Sequence, residues 1–387
     1  MPRRAFLPVV VTCLVGVACS PSGAPSSGAA TFDVGVDATS PAFNFQSTAY
    51  FPNDLKAHPG DTVRFTMLDR GEPHTVTFGT LVDQALAKIP PGPPVPTLEP
   101  FGLPDLIGGQ PPQLSVTQSA AQPCFLASGA VPKTACSADQ QKQSDFNGTQ
   151  AFFNSGYLQD KQVFSLKLAD SIKPGTYGFM CLLHTNGMTG KVTVVDKGQA
   201  TQSQDDLKKA AAAMLKERVD ALQATVDAAN KAPANTAFAG AISEKAQDSQ
   251  ATLFAPKQLT IPVGGSVTWN VFGPHMIAFN APADATGIVA KQPSGGFELN
   301  GKALAPAGGP GAPPPPPGAT PPPPNAPPQT IPVVAPAWDG KGFHNSGLFL
   351  SFPPTFFSYK LTFSTAGTYP YKCLIHPDME GTVKVGQ

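Results

Sequence analysis

The sequence has no excess of charge of either sign: Lys+Arg and Asp+Glu are equal at 26 each, and charged residues make up only 13% of its 387 residues. A chain so balanced has no electrostatic footprint for nucleic acid or for an anionic membrane surface. Its N-terminal apolar run, residues 6–18, falls short of the ~20 residues that a helix needs to cross a bilayer. Histidine is scarce, with six in the whole chain and no His-x-His pair. Cysteine is equally scarce at six, so a disulfide scaffold of the kind that replaces a core in very small domains is excluded. The length suits two domains, each large enough to bury a core of its own.

Arg3 and Arg4 followed by the short apolar run have the form of an export signal over residues 1–19. The run ends at Cys19 in "LVGVACS", which resembles a bacterial lipobox, where the cysteine becomes lipidated; Gly16 departs from the larger aliphatic usual there. "RRAFL" also resembles a twin-arginine address, so two export routes stay open. The implied location is the cell envelope, periplasmic or on the extracellular face, with a lipid anchor at Cys19. Residues 20–31, "SPSGAPSSGAAT", are too polar and too small to fold and read as a tether.

Cys13 lies in the signal, and Cys124 and Cys136 sit close together in a loop-like stretch. In an oxidising compartment those two would pair, contributing roughly 3 kcal/mol in the chain-entropy account. Cys181 and Cys373 have no obvious thiol partner, and each lies in a particular setting.

That setting is repeated. "YFPNDLKAHPGDTVRF", "PHTVTF", "FNSGYL", "PGTYGFMCLLHTNGM" and "GKVTVV" in the first half are matched in order by "LFAPKQLTIPVGGSVTW", "PHMIAF", "HNSGLF", "AGTYPYKCLIHPDM" and "GTVKV" in the second. Two copies of one domain follow: residues 32–197, with an insertion at about 80–148, and residues 250–387, with a Pro-rich insertion at about 303–336. The repeated segments alternate Val, Ile, Thr, Phe and Tyr between Gly, Pro and Asn, the pattern of short strands, so the fold class is all-β, a pair of Greek-key sandwiches or barrels. His74, Val76 and Phe78 share a strand face, as do His275, Ile277 and Phe279; Tyr177, Phe179 and Cys181, and Tyr369, Tyr371 and Cys373, do the same. Between the copies, residues 198–249 form a helical linker whose helix covers about 202–231, either a spacer or a packed element. The proline run "GAPPPPPGATPPPPNAPP" reads as extended and polyproline-like; each insertion either covers or flanks the metal end or is a surface addition, and the Pro-rich one reads as the latter.

Each copy supplies two imidazoles, a thiolate and a thioether, a set suited to both oxidation states of copper: His74, Cys181, His184 and Met188 in the first, His275, Cys373, His376 and Met379 in the second. These motifs resemble the plastocyanin, amicyanin and pseudoazurin type of cupredoxin. The resemblance implies two type 1 copper ions and one-electron transfer. The first loop departs in having three residues between His184 and Met188 where the second has two between His376 and Met379, which leaves the role of Met188 open. Asn154 and Asn345, in the two "NSG" segments, would either support the copper loop or form a turn; His58 and His344 read as loop residues.

Two-domain relatives in fold include multicopper oxidases and copper nitrite reductases, which need further copper held by additional histidines. With four of six histidines committed, an enzyme is not expected. Two readings remain, an electron-transfer protein, or one that stores or delivers copper in the envelope without electron transfer. The apolar Leu182, Leu183, Leu374, Ile375 and Pro377, if they surround exposed edges of His184 and His376, would dock a redox protein partner.

Overall fold

The computed structural model describes residues 28–68, 71–88, 116–313 and 326–386. The export signal with Cys19, the tether up to residue 27, part of the first insertion (89–115) and the proline run (314–325) lie outside them. Thr31, assigned above to the tether, already opens the first strand, Thr31–Val36.

The first domain is a sandwich of two sheets. One sheet orders Tyr50–Phe51, Thr31–Val36, Thr62–Met67 and Val163–Lys167. The other orders Asp54–Ala57, Thr185–Val194, Gly175–Cys181, Thr77–Phe78, Phe152–Asn154 and Cys124–Leu126. Alternate residues of Thr62–Met67 turn Val63, Phe65 and Met67 inward, as the two-residue period requires. Phe65 and Phe78 meet Phe179 at ring-centroid separations of 5.2 and 4.9 Å, so the aromatic rungs that end at Cys181 form the centre of the core. The second domain repeats this arrangement. Trp269 and Phe279 each lie 5.3 Å from Tyr371, two residues before Cys373. Its main sheets order Ser249–Ala255, Thr236–Ile242, Ser266–Val271, Thr355–Thr362 and Gln329–Val334, and Gln258–Pro262, Glu380–Gly386, Gly367–Lys372, Ala278–Phe279 and His344–Asn345.

Several elements differ from the sequence-based expectation. Thr236–Ile242, inside the expected linker, is a central strand of the second domain, parallel to Ser266–Val271. Its "TAFAGAI" has few of the β-branched and bulky residues that mark strands; small side chains are needed because the helix and His275 both pack closely there. Gln329–Val334, within the Pro-rich insertion, pairs in parallel with Thr355–Thr362 at a sheet edge, where Pro332 removes no ladder bond that the fold needs. The described part of the first insertion is not a loose addition. Its helix Thr80–Lys88 and the disulfide Cys124–Cys136, with Cα atoms 5.6 Å apart, enclose a small core that includes Val82, Ala85, Leu126, Phe152, Met180 and Leu182. That layer covers the strand face opposite the main core, which is why Thr75 and Thr77 are as buried as His74 and Val76.

The helix Gln204–Ala229 starts at a reciprocal cap between Ser203 and Asp206, with Asp205 and Asp206 at its positive end. It packs on both domains. Leu207 joins the first-domain core, Leu222 packs with Phe45 and Phe51, and Val226 with Ala241 and Ala251. Arg218 bonds Asp248 through Nε at 3.1 Å and lies over the Phe51 ring at 5.4 Å. The domains are further joined by strand exchange: Phe45–Ser47, from the first half of the chain, pairs antiparallel with Ser249–Ala251 at the edge of the second domain's sheet.

Candidate metal centres

Each first histidine ends a short inward strand and each cysteine ends the aromatic ladder beside it, so the sandwich brings together residues more than a hundred positions apart in the first domain and nearly so in the second. His74 Nδ1 lies 3.8 Å and His184 Nδ1 3.5 Å from Cys181 Sγ. In the second domain His376 Nδ1 is 3.3 Å from Cys373 Sγ and 3.0 Å from His275 Nδ1. All six residues are buried, and the donor atoms of each set lie within 4.8 Å of one another. Among the described residues these two sets are the groups of three or more His, Cys, Asp or Glu that are placed to hold a metal ion.

The donor chemistry fits copper. In trigonal geometry, bonds of about 2.0–2.3 Å to nitrogen and sulfur place the donors roughly 3.5–3.7 Å apart. Both nitrogen–sulfur separations of the first set are close to that spacing, and the 3.3 and 3.0 Å separations of the second reach it by opening a few tenths of an ångström. His74, His184 and His376 turn Nδ1 towards the sulfur, and His275 turns Nδ1 towards that of His376. Two Nδ1 atoms facing each other at 3.0 Å beside a thiol, in a buried site, form a hole suited to a cation. Met188 and Met379 are fully buried within the same cores as Cys181 and Cys373.

Elements behind the ligands fix their orientation. In the first domain the Thr75 amide donates to Cys181 Sγ at 3.3 Å, and Thr75 Oγ1 accepts from the Leu182 amide at 2.8 Å. Thr75 Oγ1 in turn bonds Thr77 Oγ1, which donates to Asn154 Oδ1, each at 3.0 Å. Asn154 thus supports the cysteine loop through two hydroxyls. Asn345 does something else: its Oδ1 accepts from the Gly347 amide two residues on, the Asx turn, while its Nδ2 donates to the carbonyls of Ala303 and Ala305. Where the first copy has Thr75 the second has Met276, whose Sδ lies 3.6 Å from Cys373 Sγ and accepts from the Leu374 amide at 3.2 Å.

The groups behind the first histidines differ between copies. Val36 is paired with Met67 and Ala239 with Val271, so Asp37 and Gly240, the next residues, are equivalent. Both have left-handed backbone, with φ of 60° and 81°. Asp37 Oδ2 lies 3.6 Å from His74 Nε2, an ion-pair rather than hydrogen-bond distance. Burial disfavours charge on His74, but Asp37 and Cys181 outweigh it and raise its pKa to about 10. His275, with a glycine in that place, is pushed well below the usual imidazole range by burial and by His376. Burial would likewise raise the Cys181 thiol, yet His184 and His74 beside it hold it well below its usual value.

One residue that the motifs do not single out is Glu72. Its Oε2 lies 3.4 Å from His184 Nε2 and its Oε1 4.0 Å from His376 Nε2. Burial opposes its ionisation, but His184, His376 and His74 together hold it at about 2. The "GEPH" of the first copy against "FGPH" in the second was the available signal.

The expected exposed imidazole edges are not found. His184, His376, Leu182, Leu374 and Ile375 are buried, and Leu183 packs with Tyr157, Val289 and Phe297 between the domains, leaving Pro377 exposed. Gln118 locks this interface by a reciprocal pair with the Phe297 backbone, at 2.7 and 3.0 Å. His344, expected in a loop, is buried, with Nε2 2.7 Å from the Tyr359 hydroxyl; His58 meets the Gln199 carbonyl near the surface at 2.9 Å.

The architecture is a β-sandwich repeated twice, each copy holding one buried His–Cys–His set. Two His–Cys–His sets in two such domains fit two type 1 copper ions. No family model matches the chain, and no curated protein does. Among solved structures, auracyanin from Roseiflexus castenholzii is 14% identical over 43% of this chain and 98% of its own, with a TM-score of 0.24. A reduced amicyanin mutant is 16% identical over 44% of this chain and 85% of its own, with a TM-score of 0.20. A blue copper oxidase from Nitrosomonas europaea is 10% identical over 92% of this chain and 86% of its own, also at 0.20.

Proposed function

We propose that this chain is a blue-copper electron-transfer protein of the cell envelope, exported and lipid-anchored at Cys19, with one type 1 copper in each domain. The observation that carries the reading is the pair of buried, preorganised sets His74–Cys181–His184 and His275–Cys373–His376. Bound there, copper supplies a one-electron couple. The protein's part is to hold the donors in one geometry for both oxidation states, so that little reorganisation accompanies transfer. Met188 and Met379 are the proposed axial thioethers. Burial of every ligand supports electron transfer over storage or delivery, which needs exchangeable ligands. The placement of the two remaining histidines, His344 against Tyr359 and His58 against the Gln199 carbonyl, supports a carrier over an oxidase, which needs further copper ligands. The disulfide supports an oxidising compartment. A redox protein partner is part of the reading, docking beside His376 at the exposed Pro377.

Copper titration of the mature protein, followed by visible and EPR spectroscopy, tests this. Two equivalents giving intense blue colour are expected, with Cys373→Ser and Cys181→Ser each retaining one. A colourless copper protein, or binding of three or more equivalents with oxidase turnover, would overturn it.

A further inference from the structure

Each domain alone would leave the outer edge of its C-terminal ligand histidine to solvent or to a partner. Here the two edges are turned towards each other across the interface, with one side chain between them. Glu72 sends Oε2 to within 3.4 Å of His184 Nε2 and Oε1 to within 4.0 Å of His376 Nε2, and its side chain is only 11% exposed. The longer gap is one that a small rotation of the carboxylate or a single bridging water completes. The surrounding contacts are interdomain as well: Tyr157 packs edge-on against Phe297 at 5.3 Å, and Asn44 Nδ2 donates to the Asp378 carbonyl at 2.9 Å, beside the second ligand loop. Interface packing thus holds the carboxylate where both rings can reach it. The second copy has Gly273 at the equivalent position, so one acid serves both centres.

We propose that Glu72 is a shared positioning residue that joins the two metal centres into one coupled pair, accepting the Nε2–H of His184 with one oxygen and that of His376 with the other. Holding both Nε2 atoms as donors keeps both Nδ1 lone pairs directed at the metal positions. It also makes His184–Glu72–His376 the short polar link between centres. With copper bound, it would offer a route by which one electron leaves a reduced centre, oxidising it, and reduces the other, while the carboxylate and both ring protons stay in place. The link rests on the copper reading, but the approach of Glu72 to the two imidazoles, 3.4 Å to His184 and 4.0 Å to His376, is present without metal.

The test therefore begins with the metal-free full chain labelled with 15N-histidine. The Nε2–H protons of His184 and His376 are expected to be slowed in exchange with solvent. In Glu72→Ala both should exchange about tenfold faster, the size of one lost net hydrogen bond, while His74 is unchanged. Glu72→Gln, which keeps the volume and one acceptor oxygen, controls for misfolding and should release one of the two. If only His184 responds in both variants, or neither does, the bridge is refuted whatever the copper titration shows. In the copper-loaded protein Glu72→Gln should raise both midpoint potentials, because a shared negative charge is lost, whereas Asp37→Asn should raise the first alone. A shift confined to one centre in Glu72→Gln would also overturn the proposal.

Discussion

Replacing Gly240 with alanine should remove the second metal centre and leave the first intact. Gly240 sits where the pairing of Thr236–Ile242 with Ser249–Ala255 slips by a residue, at φ 81°. A Cβ there would overlap His275 Nε2 and the Phe272 carbonyl, one on a rigid ring and the other on backbone. Two terms add: left-handed backbone costs alanine about 1–2 kcal/mol, and forcing a methyl into a filled site about 1–3 kcal/mol. Gly264 separates them, since it has φ 78° with nothing within 4 Å of its Cβ position. Gly264→Ala should show the first term only, with two blue equivalents retained. Gly240→Ala should show both terms, about 2–5 kcal/mol, or roughly 4–20 °C at about 2–4 °C per kcal/mol for a domain of this size. It should also bind a single blue equivalent. Both tryptophans of the chain, Trp269 and Trp338, lie in the second-domain core, so thermal unfolding read by tryptophan fluorescence reports that domain selectively. If the two variants unfold alike and both bind two equivalents, His275 is not seated on Gly240 and the reasoning fails.

Cys124→Ser should lower first-domain stability by about 3 kcal/mol, the chain-entropy value for a loop of this length; denaturant titration by circular dichroism should move, while the tryptophan signal stays. For the axial position, Met379→Leu should change the EPR signal of the second centre and raise its potential, since a weak donor to the oxidised ion is lost. Met276→Thr, which installs the first copy's residue beside Cys373, should alter colour less; the reverse order would assign the thioether to Met276.

The ligand sets were legible because their determinants are local: a cysteine, histidine and methionine in one loop after a Gly-Thr-Tyr turn, and a histidine on a strand whose alternation points it inward. Phe179 and Tyr371, on the faces that end at the cysteines, follow from the same alternation. What escaped depends on contacts between segments. Thr236–Ile242 has few bulky residues because it lies beneath His275 and the helix, so its composition hides its role. His344 reads as a loop residue until Tyr359 supplies a buried partner. Leu183 reads, with Leu374 and Ile375, as part of a partner-docking patch, and nothing in its own segment says that Val289 and Phe297 of the other half pack over it. Glu72 has meaning only once the domains meet.

The crossing of Phe45–Ser47 onto the second sheet means that the chain cannot be divided at the helix into two self-sufficient pieces. A fragment beginning at residue 236 would carry Ser249–Ala251 as a bare edge, with its amides and carbonyls open to pairing with another copy. Such a fragment should self-associate, whereas a chain nicked within the helix should stay together, its halves still laced by the ladder and by Gln46 bonded to Gln250. Duplication produced two similar domains, and the borrowed strand has made them a single heritable unit.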